Sequence, residues 1–97
     1  KNMTAYFVAR LSVKDPEAMA EYSKSAGPLI AAHGGKVLFR GDASDNLFGE
    51  MNMPNIVVFA FPTKGKINEF FNSAEYQALT DMREAGAEMV LSAHDAV

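Results

Sequence analysis

Cysteine is absent from the 97 residues, and that absence excludes disulfides, thiolate nucleophiles and cysteine-ligated zinc together. Positive charge is sparse and dispersed: nine Lys and Arg leave a net charge of −3. Binding driven by a nucleic-acid backbone needs a basic patch or stripe, so that class is set aside. No apolar run approaches the roughly 20 residues that span a bilayer. Lys1-Asn2-Met3-Thr4 has no hydrophobic signal region, so a cytoplasmic protein without membrane attachment is expected. Met3 is the expected initiator, with residues of cloning origin ahead of it. Gly-x-Gly-x-x-Gly, phosphate-loop and Gly-x-Ser-x-Gly patterns are missing, which leaves nucleotide-dependent and serine-nucleophile chemistry unsupported. The two histidines, His33 and His94, have no cysteine or close carboxylate pair to complete a ligand set, so no metal or cofactor is expected.

What is present is apolar material in a short chain. Residues 1–97 have length for one domain, because a second core would have too little chain to bury. Yet 48% of residues are hydrophobic, with seven Phe, three Tyr and six Met. Part of that excess is available to cover a subunit interface.

Ala5–Val13 reads as a strand with Tyr6, Val8 and Arg10 on one face and Phe7, Ala9 and Leu11 on the other. Both faces are mostly apolar, as in a strand covered on two sides. Asp15-Pro16-Glu17 spells a helix start, and Met19, Tyr22, Ala26, Leu29 and His33 follow as one stripe. Gly27-Pro28 predicts a kink or break, with a short second segment stopped at Gly34-Gly35. Lys36–Gly41 is a second strand; residues 42–46 make a polar turn, and residues 47–50 return as a short strand. Asn55–Phe61 is a third main strand. Thr63 caps a short helix carrying Ile67, Phe70 and Phe71, and Ser73 caps another with Tyr76, Leu79 and Arg83 on one side, ended by Gly86. Residues 87–93 form the last strand. The order β-α-β-β-α-β predicts an α+β, ferredoxin-like fold: an antiparallel sheet with its helices on one face. The other face is then open, and two such sheets packing together would cover it, so a symmetric homodimer is expected.

The series Asp15-Pro16-Glu17…Tyr22, His33-Gly34-Gly35…Leu38-Phe39-Arg40-Gly41, Val57-Val58…Phe61-Pro62 and Asn72-Ser73-x-Glu75-Tyr76-Gln77…Arg83 resembles the domain of unknown function 1330 family, of the dimeric α/β-barrel superfamily. The likeness runs from Tyr6 to Val90 and implies a ferredoxin-like subunit whose sheet pairs with a second copy to form a barrel. The chain departs from the family pattern at three places. Phe48 stands where a glutamate usually precedes the hairpin glycine, Ala60 where an acid often precedes Phe-Pro, and Phe70-Phe71 where Trp-Tyr precedes Asn-Ser. Chemistry resting on those carboxylates or that phenol is not expected here.

Tyr76 and Arg83 are seven residues apart, two helical turns and roughly 10 Å along an axis, on a shared face. Arg83 reads either as an anion clamp or as a structural group bonded to carbonyls or an acid. Arg40, at a strand end beside Gly41, reads either as a second cation in the same cleft or as a partner for Glu50 or Glu88 across a dimer. His33 is the candidate neutral-pH base, with Tyr22 to hold its tautomer; the alternative is a packed core histidine. The expected function is binding of a small anionic or aromatic molecule between sheet and helices. Arg40, Tyr76 and Arg83 would be the ligand-binding groups, and His33 and Tyr22 the catalytic ones if cofactor-independent proton transfer or oxygen chemistry occurs. The alternative is a non-catalytic module whose polar residues stabilise the dimer.

Overall fold

The computed structural model describes residues 4–97; the expected initiator Met3 lies outside the described residues. Strand β1, Ala5–Val13, buries Ala5, Phe7, Ala9 and Leu11 on one face and leaves Tyr6, Val8 and Ser12 half-covered on the other, the period-two pattern of a pleated strand. Helix α1, Pro16–Ala32, starts at Asp15, whose carboxylate accepts from the backbone N–H groups of Glu17 and Ala18 at 3.1 and 3.4 Å. It ends in a Schellman turn: Gly35 N–H donates to the Ile30 carbonyl, Gly34 N–H to that of Ala31, and Gly34 takes φ 87°.

The rest of the chain adds β2 (Lys36–Asp42), β3 (Asn55–Phe61), α2 (Lys64–Asn72), α3 (Ala74–Gln77), α4 (Thr80–Gly86) and β4 (Ala87–Asp95). Thr63 caps α2 and Ser73 caps α3 through their hydroxyls. The four strands make one antiparallel sheet in the order β2-β3-β1-β4. The helices cover the face bearing Phe7, and the core joins it to Tyr22, Ile30, Phe61, Phe70 and Tyr76. This is the ferredoxin-like α+β arrangement that the element order predicts. The opposite face carries Tyr6, Val8, Ile56, Val58 and Val90, none of them fully buried. Among the described residues no helix is long and apolar enough to cross a membrane.

Three local expectations are corrected. Helix α1 runs unbroken through Pro28. Pro28 is exposed, so the Lys24 carbonyl it leaves unbonded can turn to water, and Gly27 has no Cβ to clash with the proline ring. Residues 47–50 are not a strand: pairing between β2 and β3 ends at Asp42 and Asn55. Instead Asn46 Nδ2 donates to the Gly49 carbonyl at 2.6 Å, and Gly49 takes φ 83°, a turn that leaves Leu47 and Phe48 exposed. The helix opened by Ser73 is two short helices. The Thr80 hydroxyl donates to the Gln77 carbonyl at 2.8 Å, and Leu79 N–H closes a tight turn on Tyr76, so the α3 ladder stops there.

A further irregularity lies in β2, where the register with β3 shifts between Val37 and Phe39. Val37 pairs with Phe59, and Phe39, two residues on, pairs with Val58 one step along. Leu38 is therefore a bulge, and every side chain after it changes face. Phe39 and Gly41 join the open face with Val58 and Ile56, while Arg40 joins the helix-covered face beside Val57.

The junction of α4 with α1 depends on Gly86. A Cβ there would lie 2.8 Å from the backbone N of Met19, and the Gly86 carbonyl accepts from Lys14 and Asp15. Gly86→Ala should destabilise the fold by about 1–3 kcal/mol, since backbone on both sides must shift. Pro28→Ala should stabilise it by about 1 kcal/mol by restoring a helical hydrogen bond. Urea unfolding midpoints at constant m-value test both, and the account of α1 fails if Pro28→Ala lowers the midpoint.

Candidate functional site

The expected site residues fall into separate places. Tyr22 is on the buried stripe of α1, Tyr76 in the single turn of α3, and Arg83 on α4. Ser73 sets Tyr76: its hydroxyl donates to the Phe70 carbonyl at 2.8 Å and accepts from Tyr76 N–H at 3.1 Å. The Tyr76 ring then packs against Phe70 and Phe71, with centroids 4.6 and 5.5 Å away, and is wholly buried. Its hydroxyl lies 2.5 Å from that of Tyr22 and accepts from Arg83 Nη1 at 3.1 Å. The guanidinium carbon also sits 5.6 Å from the Tyr76 ring centroid, a cation–π contact.

Within this chain of groups Tyr22 is held as a neutral phenol and Arg83 as a fixed cation. Burial, with the Tyr76 hydroxyl next, holds the Tyr22 pKa far above the usual phenol value, although the Arg83 charge opposes it. Burial works against the Arg83 charge, but its hydrogen bond to Tyr76, the nearby phenols and Glu84 outweigh it and raise its pKa. Glu84 Oε2, 3.8 Å from Arg83 Nη2, adds a weaker contact on the solvent side.

Arg40 is elsewhere. It stands at the mouth of a cleft of about 260 Å³ between α1 and the sheet, whose walls include Ala9, Leu11, Tyr22, Val57 and Leu91. Its backbone pairs with Val57 in the sheet, but among the described residues none forms a hydrogen bond or ion pair with its guanidinium. Arg83 lines a different cavity, of about 400 Å³, with Lys14, Glu84 and Glu88. Two cations face two carboxylates there, so the space has no strong preference for an anion. The expected anion site of Arg40, Tyr76 and Arg83 is thus divided: Arg40 lines one cavity, with the catalytic candidate Tyr22, and Arg83 lines the other. Tyr76 lies between them, bonded to both Tyr22 and Arg83.

His33 caps α1 and lines neither of these cavities. Its Nδ1–H donates to the Leu29 carbonyl at 2.8 Å and its ring meets Phe70 edge-on at 6.0 Å. Tyr22 is not its hydrogen-bond partner. His94, beside Tyr6 on the open sheet face, accepts from or donates to Ser92 at 2.7 Å, on the far side of the sheet from His33. Among the described residues, no three His, Cys, Asp or Glu side chains cluster as a metal-ligand set. The cleft also uses residues not singled out as functional, Met89 and Leu91 of β4. Their strict alternation with Glu88 and Val90 already puts them on the helix-covered side. Only the position of Arg40 needed the bulge.

No protein of curated function matches the sequence. Among solved structures, a protein of unknown function from Rhodopseudomonas palustris superimposes with TM-score 0.83 at 17% identity, over 100% of this chain and 85% of that one. A dimeric ferredoxin-like protein of unknown function from Jannaschia sp. CCS1 gives 0.65 at 14%, over 96% and 99%. SnoaB, a cofactor-independent oxygenase from Streptomyces nogalater, gives 0.65 at 12%, over 97% and 93%. At these identities the likeness is one of fold. The family model described as Domain of unknown function (DUF1330) matches residues 4–97, and the chain belongs to that family.

Proposed function

We propose that the protein is a homodimer, joined through the open faces of its sheets, that binds a small anionic molecule with an aromatic or otherwise apolar body in the cleft between α1 and the sheet. The observation that carries the binding reading is Arg40: a guanidinium with no partner among the described residues, at the mouth of a cleft walled mainly by aliphatic and aromatic side chains. Apolar walls with a few placed polar groups are the usual make-up of a small-molecule site. An arginine there supplies charge and a planar fork of donors for a carboxylate.

The dimer reading is supported by the open face itself. Val90 and the bulge-displaced Phe39 are both about half exposed, at 51% each, beside half-covered Val8, Ile56 and Val58. Arg10 is exposed on the same face, between Ile56 and Val90; a largely apolar sheet face of this kind is what an interface between copies buries. The Jannaschia protein of the same fold is described as dimeric.

Binding is favoured over proton-transfer catalysis because the cleft walls include no histidine, carboxylate or lysine. Tyr22 is held as a neutral phenol, so no group facing the ligand is a base near neutral pH. Oxygen chemistry of the kind named for SnoaB would need a ligand that arrives already ionised.

Light scattering should give twice the chain mass, and Val58→Arg, which puts a charge at the centre of the open face, should reduce it to one chain. A monomeric parent protein, or a dimeric Val58→Arg variant, would sink the interface. In a thermal-shift series, 2-naphthoate at about 100 times its Kd should raise Tm by on the order of 10 °C. Arg40→Gln should remove that rise, and His33→Gln should leave it. Equal shifts in the parent and in Arg40→Gln would refute the role of Arg40.

A further inference from the structure

The hydroxyls of Tyr22 and Tyr76 bring two protons to a network that can accept only one of them. Arg83 Nη1 has no acceptor capacity, so Tyr76 Oη must accept from it. A single hydrogen bond joins the two phenols. If Tyr76 donates to Tyr22, the Tyr22 proton has no acceptor among the described residues. If Tyr22 donates to Tyr76, the Tyr76 proton has none. Either way one O–H is left over at a place where Tyr22 is 7% exposed and Tyr76 0%. Buried donors are nearly always paired, so a surplus donor marks a position for a missing acceptor.

The surroundings decide which phenol carries the surplus. Tyr76 is enclosed by Phe70, Phe71, Tyr22 and Arg83. Tyr22 borders the cleft that Arg40 also borders. An acceptor can therefore arrive from the cleft at Tyr22, whereas Tyr76 is 0% exposed and lines neither cavity. The direction of donation becomes Arg83 to Tyr76 to Tyr22 to cleft, and each bond polarises the next.

Resting on the binding reading above, we infer that the cleft ligand carries two oxygen functions: an anionic group for Arg40 and a separate acceptor oxygen, keto or phenolic, for the Tyr22 hydroxyl. The ligand class is an oxygenated aromatic acid rather than a plain one. Tyr22 remains protonated throughout the physiological range, because burial holds its pKa high, and so remains a donor. Arg83 is a positioning residue: it touches no ligand but fixes the direction of the chain through Tyr76.

The test compares 2-naphthoate with 2-naphthoates hydroxylated at position 5, 6 or 7, by calorimetric Kd and by NMR of the protein labelled with 13C at tyrosine Cζ. At least one hydroxylated member should bind roughly tenfold tighter than 2-naphthoate, as expected for pairing a buried donor. Its binding should move the Tyr22 Cζ resonance, assigned by its disappearance in Tyr22→Phe. The gain should vanish in Tyr22→Phe and persist at threefold or more in Tyr76→Phe, which keeps the Tyr22 hydroxyl. A purely structural role for the pair would make the two variants alike. The inference is overturned if no member gains threefold, if the gain survives Tyr22→Phe, or if the Tyr22 resonance of the unsubstituted protein stays fixed on binding. Tight, Arg40-dependent binding of 2-naphthoate with no gain from a second oxygen would overturn the inference alone. Absence of any 2-naphthoate binding would remove the binding reading and this inference with it.

Discussion

The buried hydroxyl of Tyr76 is where three helices meet, and the layer above the sheet is organised around it. Tyr22 reaches it from α1 and Arg83 from α4, while α3 exists largely to present it. A polar atom in so aromatic a setting is stable only when its hydrogen bonds are made, and breaking either would leave a buried donor or cation uncompensated. The same requirement explains why the chain spends a cap on a helix of one turn. Ser73 has to hold Tyr76 N–H so that the ring enters the core at the right height. The Thr80 turn then breaks the helix so that Arg83, two turns on, can come back over the ring.

That constraint also divides what would otherwise be one site. An arginine bonded to a buried phenol and in contact with Glu84 is committed to the protein, and its cavity is balanced in charge. Arg40, near the end of a strand and with no partner for its guanidinium among the described residues, carries no such commitment. Spacing makes the pairing of Tyr76 with Arg83 legible, since residues seven apart share a helix face even across the break at Leu79. Spacing has nothing to say about which side of β2 Arg40 occupies.

The legible and illegible parts of the sequence separate on physical grounds. Asp15, Thr63, Ser73 and the pair Gly34-Gly35 act on backbone groups within a few residues, so their effects follow from local chemistry, and the structure has each cap or stop where the residues put it. Pro28 misleads because its cost depends on whether the orphaned carbonyl meets water or core, a tertiary fact. Residues 47–50 mislead because an apolar pair can be a strand only if a neighbour offers hydrogen bonds, and none does. His33 lies on the apolar stripe that periodicity predicts, yet the stripe buries Tyr22, Ala26 and Ile30 and leaves His33 at its end to bond Leu29.

The bulge at Leu38 is the clearest case of one residue setting the character of two surfaces at once. With regular alternation from Val37, which pairs with Phe59 on the helix-covered side, Phe39 would point under the helices and Arg40 onto the open face. A guanidinium there would add a second cation beside Arg10 to the open face, and the cleft would lose the one that has no partner among the described residues. The extra residue exchanges them. Phe39 joins the open face, with its ring over Gly41, where a Cβ would lie 2.7 Å from it. Arg40 turns to the cleft. Gly41 is thus required by the bulge rather than by any turn, since only a residue without a side chain leaves room for the displaced ring. The irregularity that hides Arg40 from a sequence reading also makes the two faces of this sheet chemically distinct, one gaining an exposed aromatic ring and the other a cleft bordered by a cation.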